Sequence, residues 1–540
     1  MLRSTFYSFT TASRALAINQ KSLDTVGQNI SNLGTAGYTR QRVDRYSVAS
    51  SKGGLYGSST DMNVGQGVEM STLSQARDPF LDIRFRKEAP KVGELDATLS
   101  VLEDLETVFD ETTMDGLSSQ MSDLIKQLQT LSSKTGNSEF DGIVKTSAEL
   151  LTKLFNQFSD KLDATRKEQE YNLENIAIPK VNDLLSGLKE VNASIRKEQL
   201  NGAPALELLD QKNALIDELS QYVKIDVKTT NVTVSPGLSY EETTINLVDN
   251  AGNPTTILDP KEGVRPFSAK KNGDGQYEIF ITSPDGKLTD VTSEIPTGNF
   301  KGYLDMLNKS GEFDGAGVNT RGVGYYEGML DNLAVTFATE MNKLNESIKN
   351  DKYVAGDPST GPEFLVVGGP LFTNKDAVPP ADPKDGITAG NIKISSGWAN
   401  NEYGIVACTK EEAELANDAT AANGNVLKMI ALFSKKLDFK GKDTAGNDIK
   451  LFNGTFQEML SQTGNVLALE AKSTGTKLKN FLGVVDGISA QRDAISAVSL
   501  DEEGISLLQY QKSYNAAARL MTTLDEAIGT IINNMGVIGR

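Results

Sequence analysis

SLDEEGISLLQYQKSYNAAARLMTTLDEAIGTIINNMGVIGR, residues 499–540, carries the pattern that decides the architecture. Leu507, Tyr510, Tyr514, Ala517, Met521, Leu524, Ile528, Ile531, Met535 and Ile538 follow one another at alternating steps of three and four. Such steps put the side chains on one seam of a helix, and a sustained 3.5-residue period lets that seam wind around a partner helix. At the other end of the chain Phe9, Ala12, Leu16, Asn19, Leu23, Val26, Ile30 and Leu33 repeat the pattern, with Asn19 as its one polar break. The two ends are therefore expected to pair as a coiled coil. A helix from Leu500 to Ile538 would be ~58 Å long at about 1.5 Å per residue, too long to bury itself against one small domain. One pair of helices buries one seam and leaves other faces for neighbouring copies. Ser499 followed by Glu502 fits a capping box, with the acids set against the positive end of the helix dipole. That reading assigns Glu502 and Glu503 to the cap rather than to acid–base chemistry.

The 540 residues suggest three or four domains, and 38% hydrophobic with 23% charged residues is ordinary for a folded soluble chain. A net charge of -18 argues against nucleic acid and anionic membranes as partners. The first fifty residues run against that trend through Arg3, Arg14, Lys21, Arg40, Arg42 and Arg45, while Asp501, Glu502, Glu503, Asp525 and Glu526 make the C-terminal end acidic. Opposite bias on the two ends favours their association. Histidine is absent, which removes the Ser-His and Cys-His nucleophile pairs and the commonest metal ligand. Cys408 stands alone, so neither an intrachain disulfide nor a cysteine-rich zinc site forms, and it reads as a small buried apolar residue. The N-terminus has no apolar core with a cleavage site, and no stretch approaches the ~20 apolar residues of a membrane span. These features argue against a classical secreted or membrane protein.

Along the chain, SNLGTAGYTRQ (31–41) reads as a turn leading into an extended segment, and 47–67 as a long loop or hairpin. Helical spacing returns near Phe80 and continues through Leu102, Phe109, Val144, Phe155 and Leu188, with a kink or fresh start expected at Pro179. ALELLDQKNALIDELSQYV (205–223) is one further helix. Near Lys224 the pattern turns to alternation in KIDVKTTNVTV, TTINLV, PTTIL and YEIFIT, separated by the turns DNAGN, KNGDG and SPDG. Helix resumes at Tyr325, a Gly- and Pro-rich stretch follows, and helical segments are expected from about Asn425 to the end. The fold class is thus mainly α with inserted β modules on a discontinuous helical trunk. Its parts are a terminal assembly domain (1–60 and 500–540), the trunk (61–225, 298–350 and 418–499), a β-rich module (226–297) and a second irregular module (351–417).

No catalytic, metal or cofactor site emerges. Asn272, Gly273, Asp274 and Gly275 lack the spacing and distal glutamate of a calcium loop and read as a turn. GVNTRGVG (317–324) lacks the lysine of a phosphate loop and reads as a connection. Arg40, Arg42 and Arg45 read as a solvated face or as contacts to an acidic neighbour.

The segment around Asn29, Asn32, Gly37, Tyr38, Arg40 and Gln41 resembles the N-terminal signature of the bacterial flagellar axial proteins. Asp501, Glu502, Glu503, Gln511 and Arg519, with Leu500, Tyr514, Ala516 and Ala518, resemble their C-terminal one. Residues 65–86, 208–220, 298–307 and 325–345 are similar, in that order, to the hook-associated branch of the family. Two departures stand out: Gly34, Thr35, Ala36, Gly37 and Tyr38 replace the usual Asn-Thr-Pro-Gly-Tyr, and Ser499 stands where asparagine is common.

The resemblance implies a structural protein rather than an enzyme, located in the flagellum and exported by its type III apparatus without a cleaved signal. It implies self-association into a ring-like oligomer at the junction of hook and filament. The implied partners are the hook protein, the next hook-associated protein toward the filament, and a cytoplasmic export chaperone on the C-terminal helix. The expected assembly interface is Phe9, Leu16, Leu23, Val26, Ile30 and Leu33 with Leu507, Tyr514, Met521, Leu524, Ile528, Ile531 and Met535. The alternatives are a hook or distal-rod subunit of the same family, and an enzyme carried in an inserted module.

Overall fold

The structure, a computed structural model, describes residues 6–48, 65–109, 111–134, 138–236, 238–315, 317–346, 368–375, 385–409, 423–444 and 446–534. Apolar residues at helical spacing build the long elements. These are α1 (Phe6–Ser31), α2 (Pro79–Val108), α3 (Glu111–Ser133), α4 (Ser138–Tyr171), α5 (Ile178–Leu200) and α6 (Leu206–Tyr222). After the β-rich segment come α7 (Asn299–Asn308), α8 (Val323–Glu346), the single turn α9 (Ser396–Ala399) and α10 (Gly424–Ser434). The chain ends in α11 (Phe456–Ser496) and α12 (Leu500–Asn534).

Local chemistry fixes several boundaries. Asp78 accepts a hydrogen bond from the Phe80 backbone N–H at 2.9 Å, and Pro79 opens α2, where a missing N–H costs nothing. Pro179 does not break the chain into two separate helices. Instead α4 passes into α5 through a π-helical turn, Asn172–Ala177, a wider turn of the kind that accommodates a residue with no N–H to donate. A complete capping box opens α11: the Thr455 hydroxyl accepts from the Glu458 N–H at 3.2 Å, and the Glu458 carboxylate accepts from the Thr455 N–H at 2.9 Å. Ahead of it lies a hairpin, β12 (Leu437–Lys442) with β13 (Asp448–Gly454), that interrupts the expected helical run after Asn425. Its alternating Leu437 and Phe439 face the core, which period-2 reading of LDFKGK would have revealed.

Two cores result. One gathers the C-terminal half of α2 with α3, α4, α8, α10 and the start of α11. At its centre the Phe337 ring lies 4.9 to 6.3 Å from those of Phe155, Phe372, Phe433 and Phe456. The described part of 351–417 belongs to this same core: Phe372, on β10 (Phe372–Asn374), Ile392, on β11 (Ile392–Ile394), and Trp398 are all buried in it. Asn342 of α8 fastens it, accepting the Leu371 and Phe372 N–H groups and donating to the Phe372 carbonyl. The described residues of that stretch therefore pack with the helices of this core.

The second core packs α5, α6 and α7 on antiparallel sheets of order β3-β4-β5-β6 and β7-β8-β9. The strands are β3 (Ile225–Ser235), β4 (Leu238–Val248), β5 (Pro254–Asp259), β6 (Gly263–Val264), β7 (Phe267–Lys271), β8 (Tyr277–Thr282) and β9 (Leu288–Asp290). The alternating segments of the sequence thus became strands. In the KNGDG turn the Asn272 side-chain oxygen Oδ1 accepts from the Asp274 and Gln276 N–H groups, a turn in place of a calcium loop. The two cores meet where α7 crosses α2, and Gly302 permits the crossing: a Cβ there would sit 2.6 Å from the Glu94 carbonyl.

Candidate assembly interface

Beyond α1 the chain reverses through a tight turn in which Gly37 takes a left-handed φ of 76°, and enters β1 (Gln41–Ser47), paired with β2 (Val68–Gln75). The reversal brings the N-terminal signature residues onto the start of α12. The Arg40 guanidinium donates to Glu503 and to Glu502, each at 2.7 Å. Asn29 completes the fastening: its amide N–H donates to the Gln41 carbonyl at 2.9 Å and to Glu503 at 3.1 Å. Its oxygen accepts from the Tyr38 hydroxyl and the Gln41 N–H. The Arg40 N–H donates to the Ser496 carbonyl at 2.8 Å. Asn32 closes the turn locally, donating to the Gln28 carbonyl and accepting from Thr35. Burial and the nearby Glu207, Asp210 and Glu503 carboxylates push the Tyr38 hydroxyl up to about 12, so it stays a donor at neutral pH.

This latch is tied to the body of the molecule. Thr39 donates to Asp210 of α6 from its backbone at 2.9 Å and from its hydroxyl at 2.6 Å, and Gln41 donates to Glu207 at 2.9 Å. Burial raises Asp210 above the usual carboxylate range, opposed by those Thr39 bonds and by Arg77. An ion-pair ladder continues from there. Arg77 binds Asp82, Arg492 of α11 bridges Asp82 and Asp217 at 2.9 and 2.6 Å, and Arg86 binds Asp217 at 2.7 Å. The Arg492 guanidinium also lies 4.8 Å from the Phe85 ring centroid. Pairing and partial burial together make such charges costly to separate. The arrangement holds elements in place and presents no nucleophile with a base.

Helix α12 lies against α1, and the Asn29–Glu503 contact sets the end of one beside the start of the other. The buried face of α1 is Ala12, Ile18, Asn19, Ser22, Thr25, Val26 and Asn29, whereas Phe9, Leu16, Leu23 and Ile30 of the expected seam are half-buried and Leu33 is 47% exposed. The face is rotated because the β1–β2 hairpin covers α1 beside α12. Ser22 and Thr25 suit that face because their hydroxyls bond back to the Ile18 and Lys21 carbonyls. On α12, Tyr514, Met521, Leu524 and Ile528 are half-buried and Ala517 is buried, while Leu507 and Ile531 are exposed. Met535 lies outside the described residues.

One sequence reading of the charged residues is corrected here. Glu503 is buried as a partner of Arg40 and Asn29, and the Glu502 carboxylate also turns to Arg40, so neither serves the cap; the Ser499 hydroxyl accepts from the Glu502 N–H at a slack 3.5 Å. Of the two readings left open for the arginines, Arg40 takes the acidic contacts, to Glu502 and Glu503 of its own chain, Arg45 donates to the Tyr510 hydroxyl at 2.9 Å, and Arg42 keeps to the hairpin surface. The other signature positions, Asp501, Gln511 and Arg519, are exposed on α12. Sequence reasoning missed Glu207, Asp210 and Arg492 and met Thr39 only as part of the N-terminal signature. The available signal was Asp210 itself, a charge four residues after Leu206 on the apolar stripe of α6.

A family model for the flagellar hook-associated protein FlgK helical domain matches residues 102–348, and one for the flagellar basal body rod FlgEFG protein C-terminal region matches 490–535. Flagellar hook-associated protein 1 of Bacillus subtilis is 30% identical over 549 aligned residues, which span 100% of both chains. The chain belongs to the flagellar hook-associated protein 1 family. The Escherichia coli member is 24% identical across 95% of this chain and 97% of its own. Among solved structures, the flagellar hook junction protein FlgK from Burkholderia pseudomallei shares the fold with a TM-score of 0.51 at 11% identity, covering 76% of this chain and 100% of that one. Flagellar hook-associated protein 1 is a structural component of the flagellum, and the mainly α fold with inserted sheets agrees with that family.

Proposed function

We propose that the chain builds the junction between hook and filament, with neighbouring copies joined through α1 and α12 into a ring-like layer. The observation that carries this reading is the apolar surface left on α12: Ile505, Leu508 and Leu520 are 67%, 56% and 48% exposed while the same helix packs on α1. An elongated apolar face of that kind marks a surface that another chain covers. The hook protein lies on one side of the layer and the next hook-associated protein on the other. Within a copy, α1 and α12 form the coiled coil of the assembly domain, residues 1–60 and 500–540. Before assembly the chain is exported by the flagellar type III apparatus, with a cytoplasmic chaperone over the apolar face of α12.

The match of 490–535 to rod proteins favours a second reading, a hook or distal-rod subunit, and the helical-domain match at 102–348 weighs against it. Addition to purified hooks, followed by electron microscopy, separates the two. A junction protein caps hooks with a short layer, and the chain cut after residue 499 stays monomeric and leaves hooks bare. Long tubes of the pure protein would favour the rod or hook reading, and capping by the truncated chain would remove α12 from the mechanism.

A further inference from the structure

Strand β3 is the outer edge of its four-stranded sheet: it pairs with β4 and, among the described residues, with no other backbone. Eleven residues make a long edge, and an open edge presents a row of N–H and C=O groups to any extended chain that reaches it. Beside it runs a cleft of about 710 Å³ between the starts of α2 and β5 and the middle of α6. Every residue from Lys224 to Thr229 lines this cleft. Successive side chains of a strand point to opposite faces, so a hollow that touches all of them follows the edge rather than one face.

The chemistry of the cleft is specific. Ile83, Leu209, Ile216, Val227 and Pro254 supply an apolar lining, and Ile83 is 64% exposed. Around it stand Lys87, Lys224 and Lys228, of which Lys87 and Lys228 are exposed. The deeper cations Arg86 and Lys212 are already held by Asp217 and Glu241. Lys228 has Asp226 only at 3.8 Å, and Lys224 donates to the Asp249 carbonyl. A chain of net charge -18 thus carries a local positive rim around an apolar slot.

We propose that β3 is a docking edge for an extended acidic segment of a partner protein. The segment adds a strand to the sheet, its apolar side chains enter the cleft, and its carboxylates meet Lys87, Lys224 and Lys228. A second copy of β3 would bring Asp226 as well as Lys224 and Lys228 to the same rim, and is the competing outcome of the test.

The test uses the full chain and a fluorescein-labelled decapeptide of alternating valine and glutamate, with alternating valine and lysine as control, read by fluorescence anisotropy. The glutamate peptide binds, about tenfold more weakly at high salt, and the lysine peptide does not. Exchanging both exposed lysines, Lys87→Glu with Lys228→Glu, weakens binding at least about tenfold. Backbone addition is tested with Thr229→Pro and Thr230→Pro. Neighbouring N–H groups face opposite edges, so one of the two keeps the wild-type melting temperature, and that variant loses the peptide. No anisotropy change up to about 1 mM peptide, or binding indifferent to both the proline and the charge exchange, overturns the proposal. So does sedimentation showing a dimer that the tolerated proline abolishes, since a second copy would then occupy the edge.

Discussion

Glu503 is a carboxylate at 1% exposure, tolerated because Arg40 and Asn29 both donate to it. Removing one partner of such a pair leaves the other charge without compensation. Arg40→Ala is expected to weaken the latch by about 2 kcal/mol, seen as faster hydrogen exchange in 29–41 and 500–510 with the body unchanged. Unaltered exchange there would mean that the helix contact alone sets the geometry. A half-buried acid adds a pH response of its own. Asp331 of α8 accepts the Ala389 N–H at 2.7 Å, and burial, aided by Glu327, pushes it up to about 6. The folded chain therefore binds this proton more tightly than the unfolded one, so its contribution is greatest below about pH 4 and is lost as pH rises through 6. Asp331→Asn keeps the acceptor oxygen and drops the charge; it should melt higher than wild type at pH 8 and level with it near pH 4. Equal melting at both values would refute that assignment. Of these residues, the family resemblance marked Asn29, Arg40 and Glu503 as signature positions, but their mutual contacts, hundreds of positions apart, depend on folding that no local period encodes.

At the scale of elements, period was a good guide wherever one neighbour decided burial, and a poor one where two did. Helix α8 and the alternating strand β8 follow their apolar spacing directly. Helix α1 does not, because the β1–β2 hairpin and α12 share it, and its buried face includes Ser22 and Thr25 that satisfy themselves within the helix. Caps show the same limit. Ser499 has the sequence of a capping box, yet Glu502 is drawn to Arg40, while Thr455 and Glu458 close a full box ahead of α11. Thr455→Ala is expected to cost about 1 kcal/mol in urea unfolding followed by tryptophan emission, which reports Trp398 in the core that α11 enters. Ser499→Ala should cost clearly less, and the reverse order would restore the cap at α12.

For the whole molecule, the two sides of α12 separate stability from assembly. Leu524 and Ile528 are half-buried on a helix that packs on α1 within one copy, whereas Ile505 and Leu508 face outward, so a charge placed on each side has a different consequence. At the outer side, Ile505→Asp with Leu508→Asp adds charge where water already reaches, and the melting temperature of the single chain should stay within about 1 °C of wild type, as surface substitutions usually do. The same double variant should fail to layer onto purified hooks in electron micrographs, because an assembly contact would have to bury two carboxylates without partners. Leu524→Asp burdens both steps: it should loosen α12 from α1 in the monomer, speeding hydrogen exchange along both helices, and block layering as well. If the outer double variant assembles normally while Leu524→Asp does not, the contact between copies runs through the α1-facing seam, and the exposed leucine and isoleucine have no part in it.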